Sequence, residues 1–124
     1  MGYVLFYVEN VTKTVEFYKS AFFMEIDFLH EAGDYAQMKT GETKLGFISE
    51  SLASEHFSFE KRRVSIKPGA SEIALISSDV KKSFAHAIKN GAKSLLEPVD
   101  KPWGQTICYV QDCNGFTVEI CSEM

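Results

Sequence analysis

The chain is short of the residues that most often announce chemistry. It has three cysteines, three histidines, three prolines and one tryptophan among 124 residues. Cys108, Cys113 and Cys121 are odd in number and lack metal-type spacing, so free thiols in a reducing cytoplasm are expected. In that compartment the Asn10-Val11-Thr12 sequon meets no glycosylation machinery. No apolar run approaches the roughly 20 residues of a membrane span. The opening Met1-Gly2-Tyr3-Val4-Leu5-Phe6 has no basic segment and reads directly as a strand, so no leader peptide is expected. Phe6 also breaks the myristoylation pattern that Met1-Gly2 would begin. A basic excess is missing too: the formal net charge of −4 argues against a nucleic-acid partner. What is present, 45% hydrophobic and 24% charged residues, is ordinary for one globular domain of this length.

The order of patterns occurs twice. Tyr3 to Val8 is a β-branched and aromatic run, Asn10 is a helix cap, and Val11, Val15, Tyr18 and Phe22 fall on one helix face. Short strands follow at Glu25 to His30, Tyr35 to Lys39 and Lys44 to Ser49, separated by Gly33-Asp34 and Gly41-Glu42. In the second half, Glu72 to Ile76 is a strand and Ser78 or Asp79 a cap. Val80, Phe84 and Ala87 form the helix face, and Gly91 ends it. Strands follow near Lys93 to Leu96, Thr106 to Gln111 and Phe116 to Cys121, the last two joined by an Asn114-Gly115 turn. Val11 and Val80 each follow a cap, which superposes the halves at an offset of 69 positions.

The expected fold is α+β: two tandem βαβββ modules forming one curled mixed sheet with a concave cup, the helices on the outer face. Residues 1–50 make module one, 51–70 a connection and 71–124 module two, within a single domain. Neither half is large enough to bury both faces of its own sheet. The connection carries Lys61-Arg62-Arg63, read as a solvated loop or a contact for an anionic ligand. It also carries Phe57 and Phe59, candidates for a lid or a dimer contact.

Strand alternation sorts the side chains. Val4, Phe6 and Val8, like Ile73, Leu75, Val118 and Ile120, belong under the helices. Tyr3, Leu5 and Tyr7, with Glu72, Ala74, Thr117, Glu119 and Cys121, belong to the opposite face. A carboxylate mid-strand among apolar neighbours needs a partner, whether a proton, a metal or a ligand. If Glu72 and Glu119 converge, like-charge repulsion and desolvation raise the pKa of at least one, and the pair can hold a proton or bind a cation. Hydrogen bonding to backbone or tyrosine neighbours at the rim is the plainer alternative. Trp103, between Pro102 and Gly104, is either a ligand-stacking platform or a cap on the core edge. Tyr35, Phe47 and Tyr109 are candidate aromatic lining, although alternation leaves the direction of Tyr109 open.

Several motifs together resemble one family. They are the duplicated βαβββ pattern, Val8-x-Asn10-Val11-x5-Phe17-Tyr18, Pro102-Trp103-Gly104 and the closing Asp112-x-Asn114-Gly115-x3-Glu119. These are similar to the vicinal oxygen chelate superfamily of glyoxalase I, bleomycin-resistance proteins, fosfomycin-resistance enzymes and extradiol dioxygenases. The resemblance covers essentially the whole chain. It implies four ligand positions for a divalent metal, one on the first and one on the last strand of each module. Here those positions hold Tyr3, Glu72 and Glu119, plus either Gly46 or, at a rigid 69-residue offset, Glu50; the Gly46 alignment is preferred because loop lengths differ freely. No histidine stands at any of them. His30, His56 and His86 lie elsewhere, as surface or packing residues. Two carboxylates fall short of the three or four ligands of a catalytic site, so no metal and no other cofactor is expected.

By this resemblance, the expected function is a metal-independent, glyoxalase- or bleomycin-resistance-like homodimer. It binds a small organic ligand, cationic or aromatic, through Tyr3, Glu72, Trp103, Glu119, Tyr109 and Phe47. The alternative is a divergent metal-dependent lyase or dioxygenase built on Glu72 and Glu119. The family usually has Leu-Gly after the first helix, where this chain has Phe22-Phe23. That departure leads to the expectation of a different local turn.

Overall fold

A computed structural model describes all 124 residues. The elements run β1 (Tyr3–Val8), α1 (Val11–Phe22), β2 (Ile26–Leu29), β3 (Tyr35–Met38), β4 (Lys44–Ser49) and α2 (Glu50–Ala53). They continue as β5 (Glu72–Ile76), α3 (Val80–Lys89), β6 (Lys93–Asp100), β7 (Thr106–Gln111) and β8 (Thr117–Cys121). The α+β class and the tandem modules are as expected. Hydrogen bonding, however, makes two four-stranded sheets, one per module, in the orders β1-β4-β3-β2 and β5-β8-β7-β6. In each, the first and last strands of the module pair in parallel and the other neighbours are antiparallel. The backbone resolves two compact units, Met1–Lys61 and Arg62–Met124, dividing within the expected connection. No helix is long and apolar enough to cross a membrane.

Local chemistry explains the helix ends. Asn10 stays extended and its Oδ1 accepts the Lys13 N–H at 2.9 Å; Asp79 does the same for Lys82 at 3.1 Å. Each such cap stabilises its helix by about 1 kcal/mol. At the far end of α1 the structure corrects the expectation drawn from Phe22-Phe23. The left-handed exit turn is kept, and Phe23 itself enters it at φ 58° and ψ 24°. The N–H groups of Phe23 and Met24 both reach back to the Tyr18 carbonyl, which holds the bulky residue in a conformation normally left to glycine.

In the first unit α1 buries Val11, Val15, Tyr18 and Ala21 against the sheet. Tyr18 and Phe47, both fully buried, stack with ring centres 4.8 Å apart. Full burial of a side chain such as Phe47 stabilises by roughly 1.5–3 kcal/mol. The second unit packs Val80 and Ala87 of α3 over the face carrying Cys108, Val110, Val118 and Ile120. β6 outruns its expected end at Leu96 and continues through Pro98 to Asp100. It is the edge strand of its sheet, where proline's missing N–H costs no ladder bond.

Two hairpins in the second unit share one design. Lys101 and Gln105 bracket a three-residue loop, with Gly104 at φ 95° donating to the Lys101 carbonyl. Asp112 and Phe116 bracket another, with Gly115 at φ 98° donating to the Asp112 carbonyl. The Asn114-Gly115 signal marks a real hairpin, but the loop has three residues and only its glycine is left-handed. Asp112 decides this: its buried Oδ1 accepts from the Asn114 and Phe116 N–H groups at 2.8 and 2.9 Å. Gly115 is also closely covered. A Cβ there would lie 2.4 Å from the Arg63 carbonyl oxygen.

Candidate functional site

Strand pairing settles how the halves correspond. Leu5 pairs with Gly46 in the first sheet as Ala74 pairs with Glu119 in the second. Gln37 faces Gly46 as Tyr109 faces Glu119. Gly46 is therefore the counterpart of Glu119, Tyr3 that of Glu72, and Gln37 that of Tyr109. Glu50, the other alignment, lies past the strand as the first residue of α2 and is buried.

On the second unit's open face Glu72, Glu119 and Tyr109 come together. Glu119 is half-buried on the inner strand β8 with Tyr109 directly across on β7, while Glu72 is exposed on the edge strand β5. Strand register sets the Glu119 and Glu72 carboxyls and the Tyr109 phenol close enough on this face to influence one another's ionisation. Desolvation first, and then Glu72, hold the Glu119 carboxyl above the ordinary carboxylate range. Burial, Glu119 and Glu72 push the Tyr109 phenol up in the same way. Cys121 belongs to this face too: it is buried, and its thiol is raised by that burial and then by Glu119 and Glu72. Strand alternation places it there, two positions beyond Glu119. Such a pair can keep a proton between its carboxyls or exchange it for a cationic group.

Trp103 stands apart. Its hairpin is tied to Ser122 through Gln105 and Thr106, three residues beyond Glu119, or roughly 10 Å along the strand. The ring is 61% exposed, which rules out a core cap. It engages its own turn, with Nε1 donating to Gln105 Oε1 at 2.9 Å and Lys101 Nζ 5.9 Å from the ring centre.

The first unit's open face has different chemistry. Tyr3 is exposed, Tyr35 donates to Gln37 Oε1 at 2.8 Å, and Lys44 Nζ lies 3.8 Å from Asp27. Burial, then Tyr3, raises the Tyr35 phenol. Gly46 leaves a hollow that its neighbours fill: a Cβ there would sit 2.7 Å from Leu5 Cδ2 and 3.0 Å from the Tyr35 hydroxyl. Phe59 and Phe57 of the connection pack on Tyr7, with centres 4.8 and 6.2 Å away. Phe47 must be corrected. It faces α1 in the core beside Phe6 and Tyr18, because it is adjacent to Gly46 and alternation sends it to the other face.

No histidine joins Glu72, Glu119 and Tyr109: His30 is exposed beside Phe28, with Nδ1 3.4 Å from Asp34, His56 is exposed, and His86 on α3 has Nε2 3.3 Å from Asn90 Nδ2. Nowhere do three or more His, Cys, Asp or Glu side chains gather in a metal-holding group. The residues present thus do not fit the multi-ligand centre of the metal-dependent enzymes.

Duplicated modules and a closing-strand carboxylate define a glyoxalase-like domain, and the model of that family matches residues 1–124. The chain belongs to this family, within the vicinal oxygen chelate superfamily. The uncharacterized protein YraH of Bacillus subtilis is 29% identical over 117 residues, covering 91% of this chain and 90% of YraH. A glyoxalase-related enzyme from Fulvimarina pelagi superposes with a TM-score of 0.83 at 16% identity, over 99% of this chain and 87% of that one. TioX from Micromonospora sp. ML1 gives 0.76 at 20% identity, over 99% and 98%. These two structures are alike in fold.

Proposed function

We propose that this protein is a metal-independent, cytoplasmic, homodimeric member of its family that binds a small organic ligand with a cationic or aromatic group. The ligand is held on the open face of β5, β7 and β8. The convergence of Glu72, Glu119 and Tyr109 on one face of the second sheet carries this reading. Desolvation and the neighbouring Glu72 favour the protonated Glu119 carboxyl, and an ammonium or amidinium group can take the place of that proton. The exposed Ile76 offers apolar surface on the same strand as Glu72. Tyr3, Leu5, Ile76, Leu96 and Val99 are exposed apolar groups of the kind a second copy covers.

The test has three parts. Elemental analysis of purified, untagged protein is expected to find no stoichiometric metal. Benzylammonium or benzamidinium is expected to raise the unfolding temperature of the parent but not of Glu119→Gln. Light scattering after gel filtration should give twice the chain mass. Near-stoichiometric zinc, nickel, iron or manganese would overturn the reading in favour of a lyase or dioxygenase using Glu72 and Glu119.

A further inference from the structure

The chain holds two Asn-Gly pairs, Asn90-Gly91 and Asn114-Gly115, in unlike surroundings. In such a pair the glycine nitrogen attacks the asparagine Cγ, unhindered because glycine has no Cβ. A C–N bond forms, the Cγ–Nδ2 bond breaks and ammonia leaves. Water then opens the cyclic imide at either carbonyl, giving aspartate or isoaspartate. The attack needs the glycine nitrogen free to turn and the amide free to meet it.

At Asn114 the turn is pinned. The Gly115 N–H donates to the Asp112 carbonyl at 3.2 Å, the Asn114 backbone N–H donates to Asp112 Oδ1 at 2.8 Å, and the side-chain Nδ2 lies 3.6 Å from Cys113 Sγ. Asn114 is only 9% exposed, and the Arg63–Val64 backbone closes over Gly115. Asn90 terminates α3. Its Nδ2 donates to the His86 carbonyl at 2.8 Å and Gly91 N–H to Ile88 at 3.1 Å, but Gly91 is exposed and the bonds belong to a helix's last turn. Helix ends open far more readily than a hairpin loop pinned by a buried carboxylate.

We propose that Asn90 is a deamidation site of the folded protein, and that Asn114 is a second site gated by opening of the β7–β8 hairpin. The two changes have different consequences. At residue 90 a new charge appears at a half-buried helix end beside the exposed Gly91. At residue 114 a second carboxylate enters a buried turn beside Asp112. The isoaspartate form also lengthens the backbone of the loop that sets Tyr109 across from Glu119.

Peptide mapping of the full chain held at mildly alkaline pH tests the order, with the two sites as each other's control. In native buffer residue 90 is expected to convert at least about tenfold faster than residue 114, and in denaturing urea the two rates should converge. Equal native rates, or a gap that persists in urea, overturn the gating. Asn114→Asp should lower the urea midpoint more than Asn90→Asp, which loses one capping bond at a helix end; equal midpoints for the two variants overturn the difference in consequence.

Discussion

Gly104 and Gly115 occupy the same position in two similar hairpins, at φ 95° and 98°. A side chain at either meets the left-handed penalty of about 1–2 kcal/mol. Their surroundings differ. A Cβ at Gly104 would meet nothing within 4 Å, whereas one at Gly115 would lie 2.4 Å from Arg63 O, 2.5 Å from Arg63 C and 3.0 Å from Val64 N. Those are backbone atoms, so relief requires moving the chain, an overpacking cost of about 1–3 kcal/mol. Gly104→Ala is therefore expected to cost about 1–2 kcal/mol and Gly115→Ala about 2–5 kcal/mol. Against a total stability of roughly 5–15 kcal/mol, the second loss is large and the first tolerable. Urea unfolding at a fixed, low temperature reads both, with unchanged slopes as the check that two-state behaviour holds. Equal losses at the two glycines would refute the seating of residues 63 and 64 on the β7–β8 turn.

Phe23→Gly relieves a left-handed aromatic that is 69% exposed, and should stabilise by about 1 kcal/mol in denaturant unfolding; a loss would mean the ring's contacts outweigh the strain. Asp112→Ala removes the acceptor of two backbone N–H groups and should cost about 3 kcal/mol by the same assay. Glu119 binds its proton more tightly folded than unfolded, so the stability this confers is complete below the ordinary carboxyl range and is lost as pH rises through the raised value. Glu119→Gln cannot ionise, so it should gain stability relative to the parent with rising pH and match it in acid. Parallel pH profiles of the two proteins would contradict the raised Glu119 carboxyl.

The legible parts of the fold were those set by neighbours in sequence. The ends of β4, β5 and β7, the caps Asn10 and Asp79, and the common face of Glu72 and Glu119 all follow from local pattern. Phe47 was misplaced although the information was present, since the alignment that matched Gly46 to Glu119 already put Phe47 at the place of Ile120, under the helix. Other features depend on groups that composition does not rank. Asp112's two hydrogen bonds choose a three-residue loop over the two-residue turn that Asn-Gly favours alone. The edge position of β6 tolerates Pro98, and capping bonds to Tyr18 hold Phe23 where glycine is usual. The direction of Tyr109 follows from hairpin register, which pairs it with Glu119.

Because each sheet closes its ladder within its own module, the positions of Gly46 and Glu119 are equivalent in frame yet belong to separate hydrogen-bonded sheets. A mutation that recharges or reshapes one open face leaves the hydrogen-bond scaffold of the other intact. Such a duplication is a chassis with two independently rewritable panels. In this chain one panel is phenolic and filled, while the other carries acid chemistry. Drift in ligand preference can then proceed on one panel while the other preserves the fold.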